Sequence, residues 1–329
     1  MEPSRFSSPR LRLRFAAIAF LASVSASGSL PLAASEFRII DAAEFARCVP
    51  AGAKVEKLAG DFSFIEGPVW IKDAGHLVFS DIPKNELKQW SPGSGVKTYR
   101  APSFNANGNT LDLAGRLLTC EHSGRRVAVQ EKDGTVRTVV DSFEGRKLNS
   151  PNDIIVKSDG TLYFTDPEYG LKTDPTTKQK MGKEQPGQFV YRHDPKTGRT
   201  TALVRDFVQP NGLAFSPDEK FLYVADSGAP KHIRRFAVAA DGSLSGGEVF
   251  CTLDAGVPDG IRVDTAGRVW SSAGDGAHIF APSGELIGKI LVPEGPANLC
   301  FGGDDGQTLF LTARKSLYAV KVSVTGAAR

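Results

Sequence analysis

Residues Gln209–Asp226 read QPNGLAFSPDEKFLYVAD: a polar opener, a short alternating apolar run, an Asp-rich turn and a second apolar run. Looser copies begin at Ile65 (IEGPVWIKDAGHLVFSD), Ala106 (ANGNTLDLAGRLLTCE), Pro151 (PNDIIVKSDGTLYFTD), Pro258 (PDGIRVDTAGRVWSSA) and Pro296 (PANLCFGGDDGQTLFLTA). Alternating runs joined by Gly-containing turns are the signature of antiparallel hairpins. The chain therefore writes one hairpin six times.

The copy at Pro151 extends to four strands, DIIVK, TLYFTD, QFVYRHD and RTTALVRDF, with turns at SDG and DPKTG. The outer turns of other copies are SPGSG, EKDGT, AADGS and APSGE. A four-stranded antiparallel unit recurring at about 40–60 residue spacing predicts an all-β, six-bladed β-propeller. The last copy ends one strand short after SLYAVKVSV, and Val55–Leu58 precedes the first copy where RTTALVRDF precedes the one at Pro210. We expect this N-terminal strand to complete the last blade and close the ring, leaving only short protected edges. A β-sandwich is the competing architecture, but it has no need of six similar openers.

Alignment on the first apolar positions (Trp70, Leu111, Val156, Phe215, Val263 and Phe301) places Glu66, Asn107, Asn152, Asn211, Asp259 and Ala297 at one equivalent site. In a propeller such a position forms a ring around the channel. One PNG or PDG is an ordinary turn; five oxygen-bearing side chains on one ring are a buried polar cluster that requires a partner for its charge. All-oxygen ligation suits Ca²⁺ best, accommodates Mg²⁺ or Mn²⁺, and suits Zn²⁺ less well.

The motifs EGPVW, SPNDIIV, QPNGLAFSPD, PDGIRVD and CFGGDDGQTLFLTA resemble the gluconolactonase / regucalcin (senescence marker protein) / luciferin-regenerating-enzyme-like family, from Val55 to Val322. The resemblance implies a six-bladed propeller with one divalent cation in its channel. It implies that Glu66, Asn211 and Asp259 hold the cation, with Asn152 as a further ligand or a contact to substrate or water. Animal members carry an Arg two residues before that Asn, and here the position is Ser150. The string NGNTLDLAGRLLTCEHSGRR resembles the bacterial gluconolactonase-type branch and places Asn107 and His122 in or near the pocket.

The expected chemistry is hydrolysis of a sugar lactone, with water attacking a carbonyl polarised by the cation. The sequence contains no G-x-S-x-G elbow, H-E-x-x-H or P-loop. Asp259 is the first candidate to take a proton from water and Asp153 the second. Asp166, Glu168 and Tyr169 lead into the Leu171–Gln188 insertion, where Tyr169 is expected to stack on a ring substrate, and Asp226 and Ser227 are expected to line the pocket. Two readings compete: hydrolysis of other esters or organophosphates, and a non-catalytic ligand-binding propeller with a structural Ca²⁺.

Other features admit plainer readings. Trp70, Phe215 and Trp270 are expected between blades, and His76, His193, His232 and His278 in turns or at the surface. Leu171–Gln188 is a long polar insertion in the third blade, either a solvated excursion or a lid. Cys48, Cys120, Cys251 and Cys300 have no zinc-like spacing. An exported protein permits a disulfide between two of them, but Cys120 and Cys300 read better as small buried hydrophobes.

Residues 1–34 have the arrangement of a secretory signal peptide: four arginines, an apolar run over Phe15–Val24, then small residues. This assigns 35–329 to a single propeller domain in the periplasm or outside the cell, with a small-molecule lactone as its partner and no membrane attachment of the mature form. The formal charge of +3 is fully accounted for by the four Arg and one Glu of the leader, so it offers no argument for nucleic acid.

Overall fold

Each opener begins the first strand of a sheet. The six first strands are Ile65–Ile71, Ala106–Leu111, Ile154–Val156, Pro210–Phe215, Ile261–Val263 and Asn298–Gly302. Each pairs antiparallel with the next strand in sequence, and four-stranded antiparallel sheets form blades one to six in chain order. The structure, a computed structural model, describes residues 1–4, 36–172 and 180–327. The rest of the expected signal peptide and the centre of the blade-three insertion, 173–179, lie outside the described residues. Among the described residues no helix is long and apolar enough to cross a membrane.

The turns follow directly from their residues. In Asp133-Gly134-Thr135, Asp159-Gly160-Thr161 and Asp241-Gly242-Ser243, the Asp carboxylate accepts the N–H of the residue two positions on, at 2.9 Å each time. The central glycines take φ of +87°, +90° and +81°, a region that a side chain disfavours. These Asx-type turns reverse the chain without help from the core.

The ring closes as expected: Val55–Ala59 pairs antiparallel with Ser316–Lys321 as the outermost strand of blade six. The stretch Ser35–Pro50, whose sequence reads as a short strand and a helical turn, contains both, and they add to the ring. Phe37–Ile39 adds a fifth strand to blade five beside Leu286–Leu291. The helix Ala42–Cys48 that follows buries Phe45 and Cys48 in the core shared by blades five and six. Its N-terminus is capped by Asp41, which accepts from Glu44 N at 3.0 Å.

The apolar cores lie between adjacent blades, and the three singled-out aromatics are there. Trp70 stacks on Phe310 of blade six with centroids 5.4 Å apart. Phe215 meets Tyr163 of blade three edge-on at 5.0 Å, and Trp270 meets Phe301 of blade six at 5.3 Å. Full burial of one such side chain contributes roughly 1.5–3 kcal/mol. All four cysteines are buried and free. The histidine expectation requires correction: His193 and His278 are buried. Both lie within strands, where His193 Nδ1 is 2.9 Å from Thr200 Oγ1 and His278 Nε2 is 2.7 Å from Asp275 Oδ1.

Candidate active site

The inner ends of the six first strands lean on one another through their backbones. Gly108 N donates to Asn152 O at 2.7 Å, Gly212 N to Asp259 O at 3.1 Å and Gly260 N to Ala297 O at 2.8 Å. Each glycine follows an opener and touches the opener of the next blade, where there is no room for a side chain. A Cβ on Gly67 would fall 1.9 Å from Asn107 O, and one on Gly212 would fall 2.2 Å from Asp259 O. The opener motif is thus a contact motif, and it gathers the opener side chains at the channel.

Glu66, Asn107, Asn152, Asp153 and Asn211 are all buried, and Asp259 is half-buried. The carboxylates feel each other. Burial, then the charges of Asp259 and Asp153, push the Glu66 carboxyl well above the ordinary carboxylate range. Burial and the Asp153 charge raise Asp259 to about 7, against a hydrogen bond from Asn211 and the positive charge of Arg314. Such convergence is costly without a counter-charge.

Asp153 is compensated differently. It is fully buried; its Oδ1 accepts from Ile154 N at 2.9 Å, and its Oδ2 receives Asn298 Nδ2 at 3.4 Å and lies 3.7 Å from Arg262. Asn298 also lies against the Glu66 carboxylate and lowers its proton affinity. The acceptors Asn211 Oδ1 and Asn107 Oδ1 are buried without a hydrogen-bond partner. A hard cation fits this set: two carboxylates, two unpaired amide oxygens and, among the described residues, no ammonium group bonded to them.

On one flank Asn107 Nδ2 lies 3.3 Å from His122 Nε2. Burial lowers the His122 pKa to about 4, so the ring is neutral at ordinary pH. With the amide nitrogen as donor, Nε2 accepts and the ring proton sits on Nδ1. The Glu168–Gly170 turn packs over His122, since a Cβ on Gly170 would meet the His122 Cβ at 2.5 Å. This brings Tyr169 to the mouth, where its hydroxyl donates to Gln209 Oε1 at 3.2 Å and interacts with Ser227, Asn211 and the Asp259 charge. Tyr169 therefore caps the ring with its hydroxyl end.

Asp226, expected to line the pocket, and Asp166, expected to lead into the insertion, hold the backbone that enters the openers. Asp226 accepts from Val208 N at 3.0 Å and Gln209 N at 2.9 Å, and Asp166 from Asn149 N at 2.8 Å. Asp81 does the same for Ser63 N and Phe64 N. Ser227 Oγ donates to Pro258 O at 2.5 Å, which joins blade four to the opener of blade five. Ser150, in the place of the expected Arg, is buried and donates to Pro167 O at 2.6 Å. The described part of the insertion attaches to the separate two-stranded hairpin 142–147 that follows blade two, where Gln185 Nε2 donates to Phe143 O and Arg146 O at 3.1 and 2.8 Å.

Sequence alignment alone overlooked Asn298, Arg262 and Arg314. The signal for Asn298 was present: in four copies the opener is followed by Gly, and Asp153 and Asn298 break that rule.

The family model for the SMP-30/Gluconolactonase/LRE-like region matches residues 64–315, from the first opener to the hairpin turn of the last blade. The chain is a lactonase of this family. A gluconolactonase of Zymomonas mobilis is 35% identical over 298 residues, covering 83% of this chain and 82% of its own. A pentonolactonase of Haloferax volcanii is 28% identical over 256 residues, covering 75% and 80%. The solved gluconolactonase of Xanthomonas campestris is 34% identical with a TM-score of 0.81, covering 87% of this chain and 94% of its own. Membership of a lactonase family sets aside the expectation of a non-catalytic propeller.

A second acidic cluster lies on blade five, with Asp254 contributed by the connection that enters it from blade four. Asp254, Asp275 and His278 could converge on an ion. Lys289, itself buried, already contacts Asp254 at 2.5 Å and Asp275 at 3.1 Å. Its ammonium group occupies the cationic role, so this cluster lacks the unmet charge found in the channel.

Proposed function

We propose that the protein opens aldonolactones, glucono-1,5-lactone being the reference substrate, at the channel ring and with a divalent cation held by Glu66, Asn152, Asn211 and Asp259. The observation that carries this reading is the convergence of Glu66 and Asp259 beside the unpaired Asn211 Oδ1. Ca²⁺ matches the all-oxygen donor set best. When bound, such a cation polarises a lactone carbonyl and stabilises charge building on its oxygen.

The remaining work falls to side chains of this chain. Asp259 is the only one of the three carboxylates that is not fully enclosed, and in our reading it accepts the proton from the attacking water. Asp153, committed to Ile154 N, Asn298 and Arg262, supplies fixed negative charge instead. The neutral His122 and Asn107 bind the lactone's hydroxyl groups, and Tyr169 orients the ring and limits entry of water from the mouth. With Ser150 tied to Pro167 O, hydroxyl recognition rests on Asn107 and on His122, which packs beside Ser150 against Gly170.

The test is hydrolysis of an aldonolactone panel before chelation, after chelation and after Ca²⁺ is restored. Activity that vanishes and returns supports the cation reading; full activity after complete chelation rejects it. Glu66→Gln and Asp259→Asn should each lower both bound cation and turnover. We further propose that residues 1–34 direct the chain to the periplasm or outside the cell, which N-terminal sequencing of the protein from fractionated cells tests.

A further inference from the structure

Gly67, Gly108, Gly212 and Gly260 follow their openers, whereas blades three and six carry Asp153 and Asn298 at that position. In a ring of six, blades three and six stand opposite. The two side chains that replace a glycine hydrogen therefore face each other across the channel, and they meet, with Asn298 Nδ2 donating to Asp153 Oδ2 at 3.4 Å. Asn298 is buried and its Oδ1 accepts from Leu299 N at 2.8 Å, which fixes the amide so that its NH₂ faces the carboxylates. The side chain is further wedged against blade five, because a Cβ on Gly260 would fall 2.0 Å from its Cγ. Its amide is also near enough to Glu66, the carboxylate of the blade next to it around the closed ring, to lower that group's proton affinity.

We propose that Asn298 is the positioning residue of the ring: one amide group, locked by Leu299 N and Gly260, ties Glu66 of blade one to Asp153 of blade three and so aims the Glu66 carboxylate at its ligand. A primary amide is suited to this because it has two N–H donors and no charge, and can serve two carboxylates at once. A glycine here, as the repeat would have it, leaves the Glu66 carboxylate with only its own Gly67 N–H, at 2.7 Å on Oε2, to orient it among its acidic neighbours. Hydrogen bonds that orient a ligand carboxylate are commonly as important to a site as the ligand itself. The inference rests on the reading that Glu66 and Asp259 hold a divalent cation, and the experiment separates the two.

The full chain, stripped with chelator, is titrated calorimetrically with Ca²⁺ alongside Asn298→Ala and Asn298→Ser, and gluconolactone kinetics are measured for all three. Serine can still accept from Leu299 N but is too short to reach Asp153, so it decides the matter if alanine fails to fold. The expected result is a variant that melts cooperatively, binds Ca²⁺ about 10–100-fold more weakly, and loses at least about tenfold in kcat with KM changed by less than about threefold. A purely structural role would lower Tm without that split. Wild-type Ca²⁺ affinity and kcat in a folded variant overturn the proposal. If the parent protein takes up no cation, the cation reading falls and kcat decides: a loss still supports positioning of Glu66, and an unchanged kcat overturns it.

Discussion

Asn107 Nδ2 and His122 Nε2 lie 3.3 Å apart, one on the first strand of blade two and the other just beyond the second. The pair is buried, and Asn107 Oδ1 remains without a partner. It presents an acceptor and an uncharged ring to whatever enters the channel. His122→Ala should raise KM for gluconolactone about tenfold, the loss of roughly one substrate hydrogen bond, while leaving Ca²⁺ affinity within about twofold. Steady-state kinetics and calorimetry read the two effects separately. A change in Ca²⁺ affinity as large as the change in KM would move His122 out of the substrate-binding role.

Asp166 gives the fold a pH dependence of its own. Burial raises its carboxyl from 3.8 to about 7, although the N–H groups of Asn149 and Ser150 and the charge of Arg125 pull it down. Its Oδ1 has no hydrogen-bond partner. Between about pH 4 and 7 the folded chain keeps a proton that the unfolded chain has released, so this group's contribution is greatest at low pH and declines as pH rises through that window. Asp166→Asn keeps an acceptor for Asn149 N and has no charge to bury. Denaturant midpoints should therefore favour the variant at pH 8, by up to a few kcal/mol, and the difference should shrink towards zero at pH 4. A difference independent of pH would contradict the assignment.

The contact role of the opener glycines is tested at Gly67. A Cβ there meets Asn107 O at 1.9 Å and must also adopt φ +53°, whereas Gly115 has φ +74° but nothing within 4 Å. Gly115→Ala carries the backbone cost alone, about 1 kcal/mol. Gly67→Ala adds a clash with backbone that cannot move without opening the ring, for a further 1–3 kcal/mol or so. Thermal melts should rank parent, Gly115→Ala and Gly67→Ala in that order. Equal losses would mean that the ring is loose enough to absorb a methyl group.

The propeller was legible because its cause is local: alternating strands and Asp-Gly turns repeat, and each turn is closed by its own side chain, as Asp159 does for Thr161. The missing strand was legible for the same reason, since Val55–Ala59 occupies the vacancy left by the last copy. The opener ring could be read because equivalent positions must converge. What alignment could not give is which side chains meet across the ring. Asn298 stands one residue past the aligned position and works through Asp153, 145 positions away. Nor could it separate Asp226 from the pocket, because an Asp that accepts backbone N–H groups and an Asp that lines a channel look alike in sequence. The repeated FSD, FTD and VAD at Asp81, Asp166 and Asp226 was nonetheless a hint that these are parts of the repeat.

Two acidic clusters invite a cation, and their chemistry separates them. At Asp254, Asp275 and His278 the Lys289 ammonium is within 3.1 Å of both carboxylates, and burial holds the His278 ring below its ordinary pKa. A divalent ion would have to displace a buried ammonium group that has no other hydrogen-bond partner among the described residues. In the channel no ammonium group among the described residues bonds Glu66 or Asp259, and the Arg314 charge acts on Asp259 alone. Ca²⁺ stoichiometry and lactone turnover should thus be unchanged in Asp254→Asn, whereas Asp259→Asn should lose the bound ion together with turnover. The Asp254 change should instead appear as a loss of thermal stability, since it leaves Lys289 with one carboxylate in place of two. If Asp254→Asn lowered Ca²⁺ stoichiometry and Asp259→Asn did not, the ion would belong to the cluster on blade five, and the channel ring would have to work through its amides and carboxylates alone.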